Sequence, residues 1–141
     1  MDLTLAIVKP DAVGRNLGGK IIAHLEEKGF RIRALRMVQL TEKQAQDFYA
    51  VHRERPFYGS LVKFMTSGVA IPLVLQREKA VPALREAIGA TDPAEAAAGT
   101  VRALFAESKE RNAIHASDSD ENAIREIAFF FPTTDLITTA R

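Results

Sequence analysis

The sequence predicts an α+β fold built on an antiparallel four-stranded sheet, and two observations carry that prediction. Short β-prone apolar runs alternate with stretches of helical periodicity in the order β-α-β-(αα)-β-α-β-α. The third strand follows a helical pair rather than one crossover helix, so the chain does not simply repeat β-α units. That order matches a ferredoxin-like split β-α-β sandwich with added helices. At 141 residues, with no internal repeat or low-complexity tract, the chain is expected to form one domain over 1–141.

Leu3 to Val8 is apolar and short, and Lys9-Pro10 ends it because proline cannot donate to a ladder. Gly18 to Lys28 reads as an amphipathic helix with Ile21, Ile22 and Leu25 on one face and Gly29 as its stop. Phe30 to Leu40 alternates and predicts a strand with one wet face. Thr41 and Gln44 have capping-box spacing, opening a helix to about Val51. A second short helix is expected over Gly59 to Thr66. Val69 to Leu75 predicts the third strand, with Pro72 implying an edge position or a bulge. Ala80 to Ile88 is helical, and Gly89 to Arg111 is a long connection of the kind that often carries function. Ala113 to His115 predicts the fourth strand. Asp118 or Ser119 then caps a helix to about Ala128, with Ala123, Ile124 and Ile127 inward.

The net charge of +1 gives no electrostatic reason to expect bulk binding to nucleic acid or an anionic membrane. The absence of cysteine removes thiol chemistry and thiolate metal sites. No apolar run reaches the ~20 residues of a membrane helix, and the N-terminus lacks the pattern of a signal peptide. A cytoplasmic protein is expected. Gly14 to Ile21 nearly spells a P-loop, but Ile21 has no hydroxyl for a metal ion, and it is better explained as core.

The most informative segment is Asn112 to Ser119, which holds one of three histidines. A neutral imidazole can bind a metal, move a proton or attack phosphorus. No second His or Cys stands at ligand spacing, and Ser117, Asp118 and Ser119 resemble a helix start, which suits anions. His115 is therefore a candidate nucleophile towards a phosphate, although the same residues also fit a plain strand end with an N-cap. Arg85, Thr91 and Arg102 supply two cations and a hydroxyl, the donors a polyphosphate needs. Tyr49 and His52 share a helical face, and Glu126 could fold back to orient the imidazole.

Taken in order, Lys9-Pro-Asp, Phe48 to His52, Arg55-Pro-Phe57, Gly89 to Pro93, Gly99 to Arg102 and Asn112 to Ser119 strongly resemble nucleoside diphosphate kinase, over essentially the whole chain. The resemblance implies a ping-pong enzyme. A nucleoside triphosphate gives its γ-phosphoryl to His115, and a nucleoside diphosphate collects it, with broad tolerance of the base. It implies attack by Nδ1, with the other nitrogen held by the carbonyl of Ala116, Glu126 as the orienting carboxylate and Ser117 beside it. Lys9, Tyr49, Arg102 and Asn112 match residues around the transferring phosphoryl and the ribose. Arg85, Thr91 and His52 match the outer-phosphate grip, and Phe57 and Leu61 the base site. Mg²⁺ would arrive on the nucleotide phosphates, with no direct protein metal site, and a homo-oligomer is implied, a dimer-based tetramer or hexamer. Phe129 to Phe131 and the tail to Arg141 could supply its apolar surface. Departures lie at the rim: Ala116 where glycine is commoner, Lys109 opposite Phe57, Leu104 after the loop arginine, and Gln76-Arg77 after the third strand. A non-catalytic nucleotide- or protein-binding module on the same fold is the alternative, because fold alone does not establish activity.

Overall fold

The computed structural model describes residues 1–136, so the expected apolar tail to Arg141 lies outside the described residues. Strands β1 (Leu3–Val8), β2 (Arg31–Leu35), β3 (Ile71–Gln76) and β4 (Ile114–Ala116) form one sheet in the order β2-β3-β1-β4. Every pairing is antiparallel. The helices are α1 (Pro10–Gly14), α2 (Gly18–Glu27), α3 (Glu42–Phe48), α4 (Tyr58–Met65), α5 (Ala80–Ile88), α6 (Val101–Phe105) and α7 (Asp120–Phe130), with 3₁₀ turns at Ala50–His52 and Thr133–Asp135. No described helix is long and apolar enough to cross a membrane.

Successive side chains of a strand point to opposite faces, and β1 buries both sets. Ala6 and Val8 pack with Ile21 and Leu25 of α2 and Leu84 and Ile88 of α5. Leu5 and Ile7 pack with Phe48, Met65, Ile127 and Phe130 from α3, α4 and α7. The sheet is thus covered on both sides, and its centre reads as a continuous apolar run, not as an alternation.

Local chemistry sets the boundaries. Thr41 and Gln44 make the predicted capping box, but α3 ends at Phe48, and a separate 3₁₀ turn carries His52. Ser119 is the cap of α7, its hydroxyl accepting from Asn122 N. The buried face of that helix is Ala123, Glu126, Ile127 and Phe130. Ile124, expected inward, is 61% exposed, because the face is rotated to bring Glu126 under the sheet.

Two further expectations are corrected. Pro72 lies in β3, an interior strand rather than an edge. Its carbonyl accepts from Arg36 N where β2 has just ended, so the missing N–H faces a gap in the ladder. The strand expected to Leu40 stops at Leu35, with a register shift between Ile32 and Ala34 that turns Arg33 inward to bond Gln76 Oε1. Beyond it, besides the Arg36 bond, Val38 bridges back to Ala70. Pro10 starts α1 as well as ending β1, occupying a first-turn position where no N–H is required. Inside the long connection α6 forms one short helix, capped by Thr100 Oγ1 accepting from Ala103 N.

Leu73 is fully buried in β3. Leu73→Ala is expected to lower unfolding free energy by about 2–5 kcal/mol, read from urea denaturation.

Candidate active site

β4 pairs with β1 so that His115 stands opposite Ile7 and Ile114 opposite Val8. Opposed residues project to one face, so His115 emerges on the side covered by α3, α4 and α7. Its ring meets Phe48 edge-on at 5.5 Å and Tyr49 at 6.1 Å. Below it, Nε2 lies 2.7 Å from Glu126 Oε1. The same oxygen accepts from Ser117 Oγ at 2.8 Å, and Arg125 approaches Oε2 at 3.5 Å.

Burial pushes the Glu126 carboxyl up, but the His115 hydrogen bond and charge, with Ser117 and Arg125, outweigh it and hold it below the usual range. An ionised carboxylate can only accept, so Nε2 carries the proton it shares with Glu126. Nδ1, with no hydrogen-bond partner among the described residues, keeps a lone pair. The Ala116 carbonyl, expected to hold the ring, instead accepts from Arg85 Nη1 at 3.4 Å. The carboxylate is the stronger acceptor and takes the ring nitrogen.

Cations gather around this imidazole. Lys9 Nζ donates to Asn112 Oδ1 at 2.9 Å. Burial lowers the Lys9 ammonium to about 8, Arg102 adds to this, and Asp11 and Glu110 oppose it. The Arg102 guanidinium donates to three carbonyls: Nε to Asn112 at 3.3 Å, Nη1 to Gly89 at 3.0 Å and Nη2 to Ile114 at 2.7 Å. Burial and then Arg85 lower it to about 10, so it stays charged at neutral pH. Tyr49 Oη is buried and has no hydrogen-bond partner among the described residues; burial, then Glu126, push its phenol up.

These groups wall a cleft of about 560 Å³, which also holds His52, Leu61 and Thr91. A slot of about 590 Å³ adjoins it, lined by Phe57, Leu61 and Phe64, with Ser60, Lys109 and Glu110. Lys9, Leu61 and Thr91 line both, so a cationic chamber opens into an apolar one. Phe57 is half exposed and its ring lies 5.5 Å from His52.

The structure therefore brings together Lys9, Tyr49, His52, Leu61, Arg85, Thr91, Arg102, His115 and Glu126, with Phe57 in the adjoining slot. Two expected residues stand behind the wall. Asn112 holds Lys9, and Ser117, fully buried, holds Glu126. Sequence reasoning missed Phe48 behind the imidazole, Arg125 on Glu126, and Phe64 and Glu110 in the slot. Only Arg125, next to Glu126 and one helical turn from Asn122, had a readable signal. Of the departures, Lys109 does face the slot with Phe57, while Leu104 is exposed. Ala116 keeps a negative φ; the strained residue is Ala113, at φ 74°. No group of three His, Cys, Asp or Glu residues able to hold a metal ion occurs among the described residues.

Comparisons with known proteins agree with this geometry. The family pattern described as nucleoside diphosphate kinase matches residues 2–136. The nucleoside diphosphate kinase of Gluconobacter oxydans is 58% identical over 97% of this chain and 98% of its own length. That of Chlorobium chlorochromatii is 56% identical with the same coverage. Among solved structures, the Aquifex aeolicus nucleoside diphosphate kinase superposes with a TM-score of 0.94 at 47% identity, over 96% of this chain and 99% of that one. The Halobacterium salinarum nucleoside diphosphate kinase, solved in complex with CDP, gives 0.93 at 37% identity, over 100% and 95%.

Two titrations report on the site. A phosphate beside Lys9 favours its charged form and draws the pKa up from about 8, so binding takes up protons where free Lys9 is part neutral. Calorimetry of tripolyphosphate binding in buffers of different ionisation enthalpy is expected to show uptake of roughly half a proton near pH 8. The uptake should vanish towards pH 6 and be absent in Lys9→Met. For Glu126, whose folded pKa is depressed, stability is present above the ordinary carboxylate range and lost as pH falls through the depressed value. The stability gap between wild type and Glu126→Gln is expected to be flat above about pH 5 and to narrow in acid, by urea denaturation at each pH.

Proposed function

The chain belongs to the nucleoside diphosphate kinase family and transfers phosphoryl groups between nucleotides, and on that premise we propose that Nδ1 of His115 is the atom that carries the phosphoryl group. The observation that bears this reading is the 2.7 Å contact of Nε2 with the ionised Glu126. It fixes the ring, commits one nitrogen as a donor and leaves the other as a nucleophile inside a cation-lined cleft.

In the first half-reaction the Nδ1 lone pair attacks the γ-phosphorus of a nucleoside triphosphate. The bond to the β,γ-bridging oxygen breaks, and the nucleoside diphosphate departs with that electron pair. The imidazolium charge that develops at the ring is balanced by Glu126 through Nε2–H. In the second half-reaction a terminal phosphate oxygen of another nucleoside diphosphate attacks the same phosphorus, and the N–P bond breaks. One site thus serves donor and acceptor in turn.

Lys9 and Arg102 neutralise charge on the transferring group, and Tyr49 Oη supplies a donor that has no partner among the described residues. Arg85, Thr91 and His52 hold the remaining phosphates, and Asn112 keeps Lys9 in place. Phe57 takes the base on its exposed face, with Leu61 beneath. Stacking accepts any base, which makes tolerance broad. The CDP bound to the Halobacterium relative supports a nucleotide in this cleft.

Mg²⁺ belongs to the substrate in this reading and would reduce the charge on the phosphate oxygens. The carboxylates at the cleft are otherwise engaged, Glu126 as above and Asp118 by Asn122 Nδ2 at 2.6 Å. The enzyme acts in the cytoplasm with its nucleotide substrates, as one domain over 1–141. A dimer-based tetramer or hexamer is supported by apolar groups at the β2 edge, where Leu35 is 44% and Met37 62% exposed, close to Phe129 at 37%.

His115→Ala is expected to lower turnover by about 10⁴-fold or more and to abolish the acid-labile phosphoenzyme formed from γ-labelled ATP. Nucleotide binding should persist. Turnover near the wild-type level would remove His115 as the acceptor.

A further inference from the structure

The turn before His115 holds an uncomfortable backbone. Ala113 has φ 74°, and Ile114 N donates to Asn112 O at 2.9 Å, so residues 112–114 form a γ-turn with a positive φ at its centre. An alanine there is strained, since only glycine adopts this conformation without a Cβ penalty. The turn is also where the site's cations attach. Lys9 Nζ bonds Asn112 Oδ1, Lys9 N bonds Ala113 O, and Arg102 bonds the carbonyls of Asn112 and Ile114. His115 is the next residue.

One group on the far side of the turn has no part in the mechanism above. The Asp11 carboxylate, fully buried on α1, accepts from Ala113 N at 3.1 Å through Oδ2. Its other oxygen has no hydrogen-bond partner among the described residues. Arg15, one turn along α1, stands 3.8 Å from Oδ2 and donates to Phe105 O at 2.6 Å, tying the carboxylate to the end of the long connection. Three contacts from Lys9 and Asp11 therefore converge on Asn112 and Ala113. Those from Lys9 leave the turn free to relax about Ala113 N; the one from Asp11 does not.

We propose that Asp11 is a positioning residue for phosphoryl transfer: by holding the Ala113 N–H it keeps the strained turn in the conformation that aligns Lys9, Arg102 and His115 on one phosphorus. The proposal rests on His115 as the phosphoryl acceptor. Asp11 touches neither substrate nor reacting atoms. Its loss should let the turn relax towards negative φ and displace the carbonyls that hold Arg102 and the strand that holds His115. Misalignment of this kind acts on the chemical step more than on binding.

The test compares wild type, Asp11→Ala and the double variant Asp11→Ala/Ala113→Gly, reading single-turnover phosphorylation by γ-labelled ATP alongside the dissociation constant for ADP. Asp11→Ala is expected to slow phosphorylation about tenfold to a hundredfold, with a much smaller change in ADP affinity. Ala113→Gly in that background should restore most of the rate, because glycine holds a positive φ without a clamp. Asp11→Ser, which keeps a polar group beside Arg15 but is too short to reach Ala113 N, carries the same expectation should the alanine variant not fold. Phosphorylation at the wild-type rate in these variants would overturn the proposal. So would a parallel loss of rate and ADP affinity that glycine does not repair, since that marks general damage. A wild-type protein that takes no label on His115 would instead remove the reading of the site itself.

Discussion

The strand β1 must hide both of its faces, and the placement of everything else follows from that constraint. Its side chains enter two apolar clusters, so helices have to cover the sheet on both sides. One edge is taken by β3 along the whole strand and the other by β4 at Ala6–Val8. The strand then ends with Lys9, whose backbone N bonds Ala113 and whose ammonium reaches Asn112. An apolar requirement thereby delivers a cation to the segment that carries His115.

Placing Lys9 and Arg102 together out of water is unfavourable, and the downward displacement of both reflects it. The protein offsets the burial with oxygen acceptors, an amide oxygen for Lys9 and three carbonyls for Arg102. Glu126, the carboxylate beside His115, is engaged by the imidazole, Ser117 and Arg125. The cations are solvated by the fold without being neutralised, so that the polyphosphate of the proposed reaction would meet a field already oriented. The unpartnered Tyr49 hydroxyl and the strained Ala113 are further costs of the same arrangement, stored at the site and held by packing.

In the proposed reading, phosphates and base would be treated by different physics in adjoining chambers. Directional donors and charge would act on the phosphates, where geometry decides reactivity. Apolar contact with Phe57, Leu61 and Phe64 would act on the base, where direction matters little. Lys109 and Glu110 add charge at the rim of the apolar chamber without interrupting its aromatic side.

The sequence by itself determined the main element order, the antiparallel sheet, the cap at Thr41 and, to within Asp118 or Ser119, the cap of α7. These follow from periodicity, capping chemistry and ordered motifs, all of which are local. Only the tertiary structure decided which groups act through others. Glu126 and Ser117 stand at His115 as expected, but the Ala116 carbonyl turns to Arg85 instead of the ring, and Asn112 stands behind Lys9. Ile124 and Pro72 went astray for a related reason. α7 turns Glu126 rather than Ile124 to its buried side, and β3 is interior because β1 and β2 both pair with it. Ala113 gave no signal, because a positive φ there comes from contacts with Lys9, Asp11 and Arg102, which lie far from it along the chain except for Arg102. Pairings across long sequence separations depend on the packed fold, which residue patterns alone do not encode locally.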